Sequence, residues 1–91
     1  MNEGKVALVT GSATGAGRAI AVRFAKRGFA VAVNYSRSEA DARETVAQVE
    51  ACGVRAILCR ASVGNDADVR AMVARCQQEL GVLDVLVNNA G

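Results

Sequence analysis

The stretch Thr10-Gly11-Ser12-Ala13-Thr14-Gly15-Ala16-Gly17 decides the fold of this 91-residue chain, because it is a glycine-rich turn that directly follows the apolar run Val6-Ala7-Leu8-Val9. Its three glycines let the backbone turn sharply and approach a ligand without an intervening Cβ. A helical pattern starts near Ala16, so the N–H groups of Ala16, Gly17 and Arg18 are expected at the positive end of a helix dipole, where proteins bind phosphate. The spacing G-x-x-x-G-x-G differs from the commoner dinucleotide fingerprint, and such turns also occur without a ligand.

The rest of the chain alternates strands and helices. Residues 5–10 are predicted as strand one, because a continuous apolar run suits a parallel strand covered on both faces. Further strands are predicted over 29–33 and on into Asn34-Tyr35, over 55–60 and over 83–87, with helices over about 16–27, 36–53 and 65–81. The last helix carries an apolar stripe expected to be core, formed by Val69, Met72, Val73, Cys76 and Leu80. Repeated βαβ units predict one α/β domain over residues 1–91, with a parallel sheet, right-handed crossovers and no internal boundary.

Polar residues at the helix starts predict N-terminal caps. For the second helix, Ser36 with Glu39 and Ser38 with Asp41 both fit an N-cap serine followed by an acid three residues later. For the third helix, Asn65 is placed to cap the first turn.

Composition narrows the possible partners. Apolar residues make up 52% of the chain and charged residues 22%, which predicts a folded protein. The 11 basic and 9 acidic residues are interspersed, so nucleic acid is not an expected partner. No apolar run is long enough for a signal sequence or a membrane span, and a cytoplasmic protein is expected. Cys52, Cys59 and Cys76 show no Cys-x-x-Cys spacing and the chain has no histidine, so reduced packing cysteines are expected and no metal site.

A second motif, Asn88-Asn89-Ala90-Gly91, follows the apolar run Val85-Leu86-Val87. With both motifs the chain resembles the N-terminal part of the short-chain dehydrogenase/reductase family, which has T-G-x-x-x-G-x-G after strand one and N-N-A-G after strand four. The stretch 34–56 looks most like the 3-oxoacyl-carrier-protein reductase and glucose dehydrogenase-like members. The resemblance implies a Rossmann-like doubly wound sheet with strand order 3-2-1-4, whose ligand crevice lies between strands one and four.

The end of strand two bears on the choice of cofactor. An NAD enzyme normally has an acid there for the ribose 2′-hydroxyl, whereas this chain has Asn34-Tyr35-Ser36-Arg37-Ser38. A guanidinium flanked by hydroxyls can bind a 2′-phosphate, so NADP is the preferred cofactor and NAD is possible. The alternative is that Arg37 is a solvated residue at a helix start, paired with Asp41. Thr14 weakens the NADP prediction, because many NADP-preferring members carry a basic residue at that place.

The resemblance also implies contacts elsewhere on the cofactor. Ser62 and Val63 would contact the adenine, Asn89 and Ala90 would run along the ribose, and Asn88 would brace neighbouring strands. The complete set of predicted cofactor-binding residues is Gly11, Thr14, Gly15, Ala16, Gly17, Ser36, Arg37, Ser62, Val63, Asn89 and Ala90.

The catalytic pair of the family, Y-x-x-x-K, has no match in these 91 residues. The only tyrosine, Tyr35, is followed four residues later by Glu39, and the lysines are Lys5 and Lys26. The sequence therefore predicts the cofactor-binding part of an oxidoreductase, inactive alone. The alternative is a naturally short, non-catalytic nucleotide-binding or assembly module. Because strand four would be an unpaired edge, self-association or pairing with a missing C-terminal half is expected.

Overall fold

The computed structural model describes residues 4–89, which form a parallel sheet and the helices that cover it. The elements in chain order are β1 (Val6–Val9), α1 (Gly15–Lys26), β2 (Ala30–Tyr35), α2 (Glu39–Glu50), β3 (Ala56–Arg60), α3 (Asp66–Leu80) and β4 (Val85–Val87). All strand pairs are parallel and the strand order is β3-β2-β1-β4. The predicted α/β class and strand order are confirmed.

The two central strands are covered on both faces, as a continuous apolar run predicts. In β1 all residues of Val6–Val9 are fully buried. Leu8 lies in register with Ala32 on one side and with Leu86 on the other. β4 differs from β1 because Leu86 keeps 54% of its surface exposed.

The helices divide between the two faces of the sheet. α1 and α2 pack on one face against Val31 and Val33, whereas α3 packs on the other face against Leu8 and Ile57. Of the apolar stripe predicted for α3, Met72 and Cys76 are buried and the other three members are half-buried. The stripe is therefore core, as predicted.

Of the two serines predicted as the N-cap of α2, Ser38 is confirmed in that position and Ser36 is not, and the caps differ between helices. Ser38 is the N-cap residue of α2, but its side chain makes no capping hydrogen bond. The Glu39 carboxylate instead accepts hydrogen bonds from Tyr35 and Arg43, so it does not return to the helix start. The cap predicted for α3 is confirmed, since Oδ1 of Asn65 accepts the N–H of Asp68 at 3.0 Å.

β4 begins two residues later than predicted, because Asp84 replaces a ladder pairing with a side-chain contact. The Asp84 carboxylate accepts the N–H of Val6 at 2.8 Å, while its own N–H donates to the carbonyl oxygen of Val6 at 2.9 Å. Regular pairing starts only at Val85. Within residues 4–89, no helix has the length and hydrophobicity needed to cross a membrane.

Candidate functional site

The three glycines of the turn have different structural roles. Gly11 and Gly15 have φ angles of 61° and 59°, in the left-handed region that favours glycine. A Cβ on Gly15 would meet no atom within 4 Å, so the space beside it is open. A Cβ on Gly17 would lie 2.1 Å from the carbonyl oxygen of Gly11 and 2.7 Å from Nδ2 of Asn89. Gly15 therefore faces open space, whereas Gly17 permits close packing of α1 on the turn.

The N-terminus of α1 presents unpaired backbone donors. The helix begins at Gly15, one residue earlier than predicted, and the extended N-cap Thr14 makes no side-chain cap. Arg18 was wrongly predicted as a free donor, because its N–H donates to the carbonyl oxygen of Thr14 at 3.3 Å. No residue in the described part of the chain accepts the N–H groups of Gly15, Ala16 or Gly17. With no acidic side chain in this first turn, these donors and the helix dipole suit an anion.

Both asparagines of the second motif make hydrogen bonds that join the carboxyl end of β4 to the glycine-rich turn. Oδ1 of Asn88 accepts from the Thr10 hydroxyl at 3.4 Å. Asn89 makes closer contacts, because its backbone N–H donates to Oγ1 of Thr10 at 2.9 Å and its Nδ2 donates to the carbonyl oxygen of Gly11 at 3.1 Å. The bracing role predicted for Asn88 is thus shared with Asn89. The ribose contact of Asn89 stays a prediction, and Ala90 lies outside the described residues.

Asn34 is a site residue that the sequence argument missed. Its side chain is buried, with Oδ1 accepting the N–H of Gly11 at 3.0 Å and Nδ2 donating to the carbonyl oxygens of Cys59 at 3.3 Å and Ala61 at 3.2 Å. Its backbone exchanges hydrogen bonds with Ser12, which is also buried. One amide therefore joins the carboxyl ends of β1, β2 and β3. The feature of the sequence that could have indicated this role is the position of an asparagine at the end of an apolar strand.

Ser36 and Arg37 follow β2 at the same edge of the sheet, and both are exposed. The pairing of Arg37 with Asp41 that the sequence left open is not formed, because no residue within 4–89 makes a hydrogen bond or ion pair with the Arg37 guanidinium. The Arg37 carbonyl oxygen accepts the N–H of Glu39 at 3.2 Å. The guanidinium is therefore solvated and available to an anion.

Ser62 and Val63 lie in the exposed loop after β3. The backbone of Ser62 is held from both sides, since its N–H donates to Oδ2 of Asp68 at 3.1 Å and its carbonyl oxygen accepts the N–H of Asn65 at 3.0 Å. Val63 keeps 39% of its surface exposed. The residues predicted for the adenine thus sit on a fixed loop at the carboxyl edge of the sheet.

The single tyrosine, Tyr35, is hydrogen-bonded to a neighbouring carboxylate. Tyr35 is buried and its hydroxyl donates to Oε1 of Glu39 at 3.2 Å. Burial raises the pKa of Tyr35, and the neighbouring carboxylate of Glu39 raises it further. Hydrogen bonds from Arg43 and then from Tyr35 lower the pKa of Glu39. A tyrosine that acts as a general base needs a lowered pKa, whereas the surroundings of Tyr35 shift its pKa upward.

A parallel sheet whose strand order reverses next to the N-terminus of α1 is a Rossmann-like α/β fold, in which ligands bind at the point of reversal. The family model described as short chain dehydrogenase matches residues 5–91. The chain belongs to the short-chain dehydrogenase/reductase family, whose members bind NAD(P) in general.

Individual relatives agree with this assignment. The chain is 46% identical over 86 residues to the short-chain dehydrogenase/reductase homolog YusS of Bacillus subtilis, covering 94% of this chain and 79% of that protein. It is 45% identical over 87 residues to a 3-oxoacyl-(acyl-carrier-protein) reductase of Staphylococcus aureus, covering 96% of this chain but 35% of that protein. Among solved structures, a hydroxysteroid dehydrogenase from Escherichia coli superposes with a TM-score of 0.90 at 34% identity, over 98% of this chain and 37% of that one. The chain therefore spans about a third of the length of the latter two.

Proposed function

We propose that this chain is the NADP-preferring cofactor-binding part of a short-chain oxidoreductase that transfers a hydride between nicotinamide and a carbonyl or alcohol. The observation that carries the proposal is the set of unpaired N–H groups of Gly15, Ala16 and Gly17 beside the open space at Gly15. These donors lie where the sheet order reverses between β1 and β4. In such sheets this is the place where a pyrophosphate binds.

Preference for NADP is assigned to Arg37, with Ser36 beside it. The guanidinium has no partner within residues 4–89, so a 2′-phosphate would not have to displace an existing ion pair. A hydrogen bond to a charged group contributes about 1.5–3 kcal/mol, which corresponds to a preference of about 10- to 100-fold. NAD, which lacks the 2′-phosphate, would bind through the remaining contacts.

The other cofactor contacts follow the carboxyl edge of the sheet. Thr14 and Gly11 would form the rest of the pyrophosphate turn, and the exposed Ser62 and Val63 would meet the adenine. Asn89, whose Nδ2 is already bound to Gly11, keeps Oδ1 for the ribose. A serine offers a neutral partner to the adenine amino group, so this contact adds little affinity.

This chain is proposed to bind the dinucleotide without turnover. The family's reaction needs a tyrosine and a lysine four residues apart, and the buried Tyr35 has Glu39 at that spacing. The substrate pocket is likewise assigned to residues beyond this chain. The cysteines Cys52, Cys59 and Cys76 are free thiols, which suits the reducing cytoplasm that we propose as its compartment.

A naturally short, non-catalytic nucleotide-binding or assembly module is the second candidate. It is favoured by one relative of similar length, since the chain covers 79% of YusS. Both candidates share the cofactor site and differ in whether a catalytic half completes the protein. In either case the open edge of β4 is proposed to pair with a second copy of this chain or with a C-terminal half.

Titration of the purified chain with NADPH and NADH, followed by cofactor fluorescence, tests the proposed function. We expect both to bind, with NADPH tighter, and no oxidation of NADPH above the buffer rate with carbonyl substrates. Failure of both cofactors to bind would overturn the proposal. Turnover that is lost on mutating a residue within the chain would overturn the assignment of catalysis to residues elsewhere.

A further inference from the structure

A hydrogen-bond network joins α2 to the glycine-rich turn. Arg18 donates through Nη2 to the carbonyl oxygens of Ala13 and Asp41, each at 2.8 Å, and through Nε to Oγ1 of Thr45 at 2.9 Å. Thr45 is fully buried, and its hydroxyl oxygen lies 3.0 Å from the carbonyl oxygen of Ala13 and 3.3 Å from that of Asp41. The turn and the first two turns of α2 are therefore held by one arginine and one threonine.

The same network fixes α2, and Arg37 lies in the short loop that leads into this helix. Arg37 precedes α2 by two residues, and its carbonyl oxygen is bonded to the N–H of Glu39 at 3.2 Å. The side chain of the N-cap Ser38 makes no cap, and the Arg37 side chain has no partner within residues 4–89. On its other side Arg37 is two residues from Tyr35, the last residue of β2, so its short loop is held between β2 and α2. A shift of α2 relative to the turn would therefore displace one end of the loop that carries Arg37.

We propose that Arg18 and Thr45 are positioning residues for cofactor discrimination. By holding α2 against the turn, they set the distance between the pyrophosphate donors at the start of α1 and the Arg37 guanidinium. This inference rests on the proposed binding of NADP at this site. Arg18 itself is not assigned to the 2′-phosphate, because its Nε and Nη2 are taken by protein acceptors.

Thr45→Val and Thr45→Ser are the matched variants that test the proposal. Valine keeps the branched shape and removes the hydroxyl, whereas serine keeps the hydroxyl. Dissociation constants for NADPH and NADH are measured for both variants, alone and combined with Arg37→Ala. We expect Thr45→Val to lower the NADPH-to-NADH preference by about 3- to 10-fold and Thr45→Ser to leave it unchanged. In the Arg37→Ala background, Thr45→Val is expected to leave the ratio unchanged.

A second pair of variants keeps the test valid if the buried valine prevents folding. Arg18 is half-buried, so Arg18→Met, which retains an apolar stem without donors, and Arg18→Lys are compared in the same way, with circular dichroism to confirm folding. Arg18→Met is expected to reduce the preference as Thr45→Val does, with a smaller loss for Arg18→Lys. Equal weakening of both cofactors, with an unchanged ratio, would overturn the proposal and leave a general structural role. The proposal would also be overturned if these variants lowered the NADPH-to-NADH preference as much in the Arg37→Ala background as in the unmodified chain. If the unmodified chain binds neither dinucleotide, the proposed function fails first, and this inference fails with it.

Discussion

The side-chain amide of Asn89 donates to the carbonyl oxygen of Gly11 at 3.1 Å, and a Cβ on Gly17 would lie 2.7 Å from that amide nitrogen and 2.1 Å from that oxygen. The glycine-rich turn and the asparagine motif after β4 lie at opposite ends of the chain, and they can pack together because Gly17 has no side chain. The close approach places the end of β4 directly against the turn that precedes α1. Substitution of Gly17 should therefore affect packing and stability, whereas substitution of Gly15 should affect access of a ligand.

Gly17→Ala is expected to destabilise the protein by about 1–3 kcal/mol, because the added methyl overlaps a backbone carbonyl that cannot rotate away. Urea unfolding monitored by circular dichroism measures the loss. Gly64→Ala is the control, since its Cβ would have only Oγ of Ser62 nearby, at 3.9 Å. Equal stability of the two variants would contradict the packing role of Gly17.

Gly15→Val is expected to abolish NADPH binding, because its side chain would fill the open space beside the free N–H groups of α1. The left-handed φ of 59° adds a stability cost of about 1–2 kcal/mol. Binding is therefore compared at a temperature where circular dichroism shows that the variant is folded. A folded Gly15→Val protein that binds NADPH normally would show that the pyrophosphate lies elsewhere.

Asn34→Leu is expected to be strongly destabilising, because it removes the partners of the Gly11 N–H and of the Cys59 and Ala61 carbonyl groups. Each buried group left unsatisfied costs about 1–3 kcal/mol. Asn65→Ala serves as the comparison, because loss of an exposed helix cap costs about 1 kcal/mol. Chemical denaturation of both variants measures which one loses more stability. A smaller effect at Asn34 than at Asn65 would argue against its bridging role.

Alkaline pH is expected to destabilise the protein through Cys76. Burial raises the pKa of this thiol to about 11 from an ordinary value of 9.0, so the folded state retains a proton that the unfolded state releases. The stabilisation is complete below pH 9 and is lost as pH rises toward 11. Denaturant midpoints between pH 8 and 11 should fall less in Cys76→Ala than in the unmodified chain. Equal decreases of the denaturant midpoint in the two proteins would show that other groups cause the loss of stability.

The exposed edge of β4 is expected to cause self-association. Leu86 is 54% exposed on this strand, so Leu86→Lys should shift the chain toward monomer by placing a charge on the edge. Val82→Lys is the control, because Val82 is 75% exposed and precedes the strand. Sedimentation across a concentration series measures the change. An unmodified chain that stays monomeric at high concentration and unfolds cooperatively would contradict the expectation and favour the natural-module candidate.

The sequence by itself determined the fold class, the order of elements and the position of the glycine-rich turn. These follow from local properties: hydrophobic periodicity distinguishes helices from strands, and glycine spacing marks the turn. Even the burial of Met72 and Cys76 could be predicted from helical spacing. The strand order came from the resemblance to a family, since nothing in a single chain specifies which strands are neighbours.

Only the tertiary structure decided which polar side chains build the site. Asn34, Arg18 and Thr45 bond to residues more than 20 positions away, so their partners have no signature in local spacing. The same holds for Asn89, for which the family resemblance implies a ligand contact and which also donates a hydrogen bond to the carbonyl oxygen of Gly11. Backbone donors and acceptors brought together at the carboxyl edge of a sheet must be satisfied by whichever side chains the fold places there. Those pairings exist only once the strands have assembled.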